Sequence, residues 1–265
     1  MKHQVLRLLA RTHLLGPVYR GYERVRSTQA PRGAEPAAAD GLPVPPARLI
    51  MRVAGSPDVA WFLESGRLAA ESIRAALERA STRIEDARAI LDFGCGCGRV
   101  LRNWVDLPGT VAGSDLSADA IAWCRENLRF AHFETNTLVP PLAFDDASFD
   151  LAYALSVFTH LPEAMQLDWM DELARVTRPG GHLLVTTHGE RYRERLDVGE
   201  RERFERGDLV VRWAEVAGTN LCTTFHPPSW VRERLVPHEF EEVAFVAEGA
   251  AGNPYQDLFL LRRTA

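Results

Sequence analysis

The sequence predicts an α/β chain: an open, doubly wound, mostly parallel sheet of seven strands. Three observations predict it. Short apolar runs alternate with helical periodicity from about residue 88 to 187, the pattern of right-handed β–α–β crossovers. The first run ends in an acidic residue and a glycine-only turn that opens a helix, Ile90, Leu91, Asp92, Phe93, Gly94, Cys95, Gly96, Cys97 and Gly98. Near the end, 241–247 and 257–262 read as two strands joined by a Gly/Asn/Pro-rich loop, an antiparallel hairpin at the sheet edge.

Taken in order, residues 1–26 interleave apolar Val5, Leu8, Leu9, Leu15 and Val18 with Arg7, Arg11, Arg20, Arg24 and Arg26. This is an amphipathic, basic, helical extension, bent at Gly16 and Pro17. Residues 27–47 carry prolines at 31, 36, 43, 45 and 46 and read as a linker, so the expected division is 1–47 and a domain at 48–265. Ser56, Pro57 and Asp58 signal a helix start, and Gly66 is expected to divide the helical stretch that follows. Leu68–Ala80 is its amphipathic second part.

Strands are expected at 88–93, 110–115, 131–135, 149–155 and 181–187, with helices near 99–105, 117–129 and 163–175. An insertion after the fifth strand, 188–226, opens with a charged Arg/Glu stretch from Glu190 to Asp208. It continues with two β-prone runs, 209–213 and 220–225, able to pair as a hairpin. Ligands of open α/β sheets bind beyond the carboxyl ends of the strands, so this insertion is expected to cap a substrate.

Composition narrows the function. The chain has 265 residues, 46% hydrophobic and 25% charged, enough for a full core. A net charge of −5 argues against a nucleic-acid-coating surface, and no nucleic-acid partner is expected. Four cysteines (95, 97, 124 and 222) form neither a secreted disulfide framework nor a zinc spacing, so no metal is expected and the cytoplasm is the expected compartment. Peripheral contact with the inner membrane face is the further expectation for residues 1–26.

The glycine turn separates two classes of ligand. A dinucleotide fingerprint would place glycine at 99, where Arg99 stands, and no Gly-Lys-Ser/Thr run supports a triphosphate loop. Asp92 just ahead of the turn would repel a pyrophosphate and attract a cationic amine. Asp115 ends the second strand, where an acidic side chain accepts from ribose hydroxyls. A nucleoside bearing an amine and a positive charge fits both carboxylates.

The successive segments ILDFGCGCGRV (90–100), GSDLS (113–117), PPLAFDDASFDLAYALSVFTHLPE (140–163) and ELARVTRPGGHLLVTTHG (172–189) resemble the ordered motifs of class I S-adenosylmethionine (SAM)-dependent methyltransferases. The resemblance covers roughly residues 85–190. It implies SAM as cofactor, held by Asp92 at the methionine amine and by Gly94, Gly96 and Gly98 along the backbone. It also implies Asp115 on the ribose, Leu116 against the adenine and Asn136 near the adenine amine, where the family often has aspartate. His188 and His226, bracketing the insertion, are the candidate catalytic bases, while His160 in Thr159-His160-Leu161-Pro162 reads as cofactor-side or structural. The expected acceptor is a small molecule, a sugar or a lipid-linked intermediate, methylated at oxygen. The alternatives are a protein or nucleic-acid methyltransferase and a non-catalytic SAM-binding protein.

Overall fold

The computed structural model describes residues 40–264 together with Gly16, Pro17, Val18, Gly21, Val25 and Ala38. Most of the expected basic helix over residues 1–26, and most of the expected linker, lie outside the described residues. The last part of that linker departs from expectation by docking on the domain. Arg102, with 2% of its side chain exposed, receives Asp40 in a two-pronged ion pair (2.5 and 2.9 Å), and Pro45 is buried. An unforeseen helix follows directly, α1 (Ala47–Ala54), with Leu49, Ile50 and Met51 buried and Gly55 closing it in a left-handed turn.

Helix α2 (Val59–Arg79) runs unbroken through Gly66. A Cβ at Gly66 would lie 2.1 Å from the Arg99 carbonyl oxygen, so the glycine permits a close backbone approach and does not end the helix. The cap is Asp58, whose side chain accepts from Trp61 N, while Ser56 accepts from Asp58 N.

The sheet comprises β1 (Ala89–Phe93), β2 (Thr110–Asp115), β3 (His132–Thr135), β4 (Phe149–Ala154), β5 (Thr177–Thr187), β8 (Phe240–Val246) and β9 (Asp257–Arg263). A separate two-stranded hairpin in the insertion supplies β6 (Val210–Arg212) and β7 (Thr223–Phe225). The order is β3-β2-β1-β4-β5-β9-β8; β9 alone runs against its neighbours. Successive strands are added outward in one direction from β1 to β3 and in the other from β4 to β5, and this switch between the parallel neighbours β1 and β4 creates a crevice at their carboxyl ends. In β5 the register jumps, with Thr177 opposite Phe149 and His182 opposite Leu151, so the Arg178–Gly181 turn bulges out.

Successive strand residues feed opposite faces. Leu91, Ala152, Leu183 and Leu261 join Trp169 and Leu173 on one side; Ile90, Leu151, Leu184 and Leu260 join Ile73 and Leu77 on the other. Helix α3 (Ala118–Asn127) is capped by Ser117, and α4 (Glu163–Val176) crosses from β4 to β5. The expected helix at 99–105 is a single 3-10 turn, Leu101–Trp104.

The insertion divides as its composition suggests, but into smaller pieces. A 3-10 turn, Glu190–Arg195, precedes α5 (Val198–Glu205), opened by a reciprocal Asp197–Glu200 capping box and burying only Phe204. Hairpin β6–β7 follows, then the helical turns Pro228–Trp230 and Val231–Leu235 return the chain to the sheet edge.

Candidate functional site

A cleft of about 780 Å³ opens at the carboxyl ends of β1 and β4. Asp92, Gly94 and Gly96 line it from β1 and its turn, Asp115 and Leu116 from β2, and Asn136 from the end of β3. The strands thus gather six of the seven expected cofactor residues along one wall. Gly98 stands behind that wall: a Cβ there would lie 2.4 Å from Leu128 Cδ1, so this glycine serves packing.

Asp92 is fully enclosed at 4% exposure, and its Oδ2 has no hydrogen-bond partner among the described residues. Tyr153, opposite it on β4, donates to the carboxylate while accepting from Trp104 Nε1 at 2.8 Å. Loss of hydration outweighs that hydrogen bond and the nearby Arg99 charge, and the carboxyl is pushed up to about 7. An enclosed acidic oxygen with one lone-pair face unused is what an ammonium group requires.

Asp115 is differently arranged. Its Oδ2 accepts from Gly96 N (2.9 Å) and its Oδ1 from Ser117 N (2.7 Å), so one carboxylate fastens the glycine turn to the start of α3. Burial raises its pKa, opposed by those two amides and by Arg52. Each oxygen keeps a second lone pair for a hydroxyl donor. Asn136 is committed at both ends, with Oδ1 accepting from Ser114 Oγ and Nδ2 donating to the Thr137 carbonyl. Leu116 is 40% exposed beside it, a free apolar face on the cleft wall.

Gly96 has φ of 55°, and a Cβ would meet Val53 Cγ2 at 2.4 Å. Helix α1 therefore lies directly on the glycine turn and contributes Met51, Arg52 and Val53 to the cleft. The sequence reading missed this helix; its only local signal was the apolar run Leu49, Ile50 and Met51. Arg99 was a missed lining residue as well. It is buried and donates to the Ser65 and Gly252 carbonyls and to Asn253 Oδ1, tying α2 to the β8–β9 loop. The thiols of Cys95, Cys97 and Cys124 pack behind the turn, free and buried, with Cys97 pushed up to about 12 by burial.

The opposite wall is apolar, formed by Leu138, Val157, Leu161 and Trp169. The insertion reaches over it: Ala217, Gly218, Thr219, Asn220 and Leu221 line the same cleft. Gly218 N donates to the His160 carbonyl (2.9 Å), and Asn220 Nδ2 donates to the Arg52 carbonyl (2.8 Å). The cap therefore bridges β4 and α1. Ser156, held at φ of 60°, lines the floor and receives Gln256 Nε2 at 2.9 Å.

The three histidines are sorted by their hydrogen bonds. His188 and His226 do not line the cleft, a correction to their expected role. His188 stacks on Tyr192 at 4.0 Å, with Nδ1 against the Thr224 carbonyl, and burial holds its pKa down to about 3. His226 is wholly buried, with Nε2 3.1 Å from Gln166 Oε1. Both imidazoles are used inside the cap to join β5, β7 and α4. His160 is the histidine of the three that lines the cleft. Among the described residues no cluster of histidine, cysteine or acidic side chains could hold a metal.

Fold and site together define a doubly wound α/β domain with two buried carboxylates, Asp92 and Asp115, in a cleft where the strand order switches direction. Comparison with known proteins gives that class a name. A methyltransferase domain model matches residues 91–185. The fold is shared with a SAM-dependent methyltransferase from Mesorhizobium loti, at a TM-score of 0.56 and 20% identity, covering 72% of this chain and 98% of the other. Residues 91–185 therefore carry a methyltransferase domain on the fold of the class I SAM-dependent methyltransferases, a class whose cofactor is SAM.

Among curated proteins it is similar to phosphoethanolamine N-methyltransferase 2 of Caenorhabditis elegans, 32% identical over 52% of this chain and 32% of that protein. It is also similar to the fatty-acid O-methyltransferase of Mycolicibacterium smegmatis, 32% identical over 53% of this chain and 50% of the relative. The chloroplastic tocopherol O-methyltransferase of Arabidopsis thaliana is 27% identical over 62% and 45%. The chain thus spans a third to a half of the length of these relatives.

Proposed function

We propose that this chain transfers the methyl group of SAM to an oxygen of a small-molecule, sugar or lipid-linked acceptor. The carrying observation is the single cleft that joins two unlike walls, one with the unpartnered Asp92 oxygen and Asp115, the other apolar and roofed by the insertion. SAM supplies an activated methyl group on a sulfonium. The protein's contribution is to hold the amine at Asp92, the ribose at Asp115 and the adenine beside Leu116 and Asn136. Positioning of this kind is worth on the order of 7–11 kcal/mol in favourable systems.

The roof supports a compact acceptor. Residues 217–221 are fastened on both sides of the cleft, leaving a space of the size that small ligands fill. Relatives whose names describe oxygen methylation of a tocopherol and of a fatty acid favour the same reading. The basic segment 1–26 would bring a lipid-linked acceptor to this site by peripheral contact with an anionic membrane face. No helix among the described residues is long and apolar enough to cross a membrane.

Calorimetry on the full chain should show SAM and its demethylated product binding one site, with neither NAD nor ATP competing. Mass spectrometry of phenol, sugar and long-chain fatty-acid probes incubated with SAM should then find one methylated product. Absence of SAM binding, or methyl label recovered only in protein or tRNA, would overturn the reading.

A further inference from the structure

We propose that His160 is the general base of this cleft, its reactive nitrogen selected by the cap, and that the acceptor therefore presents a hydroxyl and not a carboxylate. The proposal rests on the methyl-transfer reading above.

Four observations meet at this ring. His160 ends the 3-10 turn Phe158–His160 beyond β4 and lines the cleft. Its Nδ1 lies 2.7 Å from the Cys222 carbonyl oxygen. A carbonyl can only accept, so the ring proton sits on Nδ1 and Nε2 carries the lone pair. Nε2 bonds none of the described residues and is not among the enclosed unpartnered atoms, so it opens on the cleft. Finally, the His160 carbonyl receives Gly218 N, so the cap holds this residue at both backbone and ring.

The neighbouring histidines lack this arrangement. His188 also carries its proton on Nδ1, toward Thr224, but its Nε2 faces Gln256 Nε2 at 3.5 Å inside the protein. For His226, Gln166 Nε2 donates to the Phe158 and Leu161 carbonyls, so Gln166 Oε1 must accept. That places the proton on His226 Nε2 and leaves Nδ1 enclosed. Burial lowers the pKa of His160, which keeps the ring neutral at physiological pH. The titratable groups around it are His188 behind and Asp92, Asp115, Arg52 and Arg99 in the cleft lining.

The step balances without a further reactant. The acceptor oxygen forms the bond to the methyl carbon, the carbon–sulfur pair remains on sulfur, and the hydroxyl proton passes to His160 Nε2. The resulting imidazolium returns it to solvent after product leaves. A carboxylate brings no proton and gains nothing from such a base.

Long-range proton–nitrogen correlation on histidine-labelled full chain, before any acceptor is added, reads the tautomer directly. At about pH 7.5 the expected state is a neutral ring with a proton on Nδ1. A proton on Nε2, or a charged ring, overturns the proposal. His160→Gln and His160→Asn should keep SAM affinity within about threefold while turnover of phenol or sugar hydroxyl probes falls about 10²–10⁴-fold and the acid limb of its pH profile disappears. Unchanged turnover in both variants overturns the base role, as does loss of SAM binding in folded variants, which would place His160 in the cofactor site. Wild-type transfer to a fatty-acid carboxylate with none to hydroxyl probes overturns the acceptor class. A wild-type chain that fails to bind SAM refutes instead the methyl-transfer reading on which this rests.

Discussion

Replacing Asp92 by asparagine should make the protein more stable and less able to bind its cofactor. The carboxyl accepts from Tyr153 within the sheet, and burial raises it from the ordinary 3.8 to about 7. The folded protein therefore retains a proton that the unfolded chain gives up above about pH 4. Its contribution to stability is unpenalised below that pH and becomes unfavourable as pH rises towards about 7, the full cost reaching about 4 kcal/mol. Asparagine keeps an oxygen for the Tyr153 hydroxyl and removes the charge. The variant should gain up to that amount near pH 8 by denaturant unfolding, and nothing near pH 4.

Binding runs the other way. An ammonium group needs the carboxylate form, so wild-type SAM affinity should rise between pH 6 and 7.5. Calorimetry at about pH 6.5 in buffers of different ionisation enthalpy should detect net release of a proton from the site on binding. Asp92→Asn should abolish both the proton release and the slope. An affinity flat over that range in the wild type, or a variant equal to it in stability at every pH, would refute the assignment of Asp92 to the amine.

Asp115→Ala should weaken SAM binding by about 1.5–3 kcal/mol in calorimetry, the worth of charge-assisted hydrogen bonds, because it removes both the ribose acceptor and the Gly96–Ser117 clasp; unchanged affinity removes it from the site. Gly96→Ala should lower stability and cofactor affinity together, since the new Cβ meets Val53 at 2.4 Å with φ at 55°. Adding Val53→Ala should restore only the steric part, leaving about 1–2 kcal/mol of backbone cost in denaturant unfolding. Deleting residues 1–26 should abolish salt-sensitive binding to anionic vesicles and lower turnover of lipid-linked probes while sparing soluble ones; equal turnover of both, with no vesicle binding by the full chain, refutes the membrane contact.

The strands were legible because they are buried on both faces and so read as short continuous apolar runs, and the two carboxylates because each ends a strand beside turn residues. Other features depended on contacts remote in sequence. Gly66 reads locally as a breaker, yet its reason is the Arg99 carbonyl beneath it. Prolines at 43, 45 and 46 masked α1, whose apolar side chains matter only against Phe62 and the glycine turn. Which histidine faces the cleft could not be read from position after a strand. It is decided by carbonyls at Cys222 and Thr224 and by an amide at Gln166, each supplied from elsewhere in the chain.

The placement of β9 bears on how the protein comes to exist in the cell. Residues 257–263 occupy an interior lane of the sheet, between β5 and β8, though synthesised long after the first five strands. At about 5–20 residues per second, the β5 edge waits on the order of 4–14 s for its partner. Asn253, which engages Arg99, and Gln256, which engages Ser156 and Thr186, arrive in the same late stretch. A nascent chain therefore carries the whole glycine turn and both carboxylates before it has a finished cleft. Its unpaired β5 edge is the surface that a chaperone would shield, and the cleft is complete only after β9 has joined the sheet.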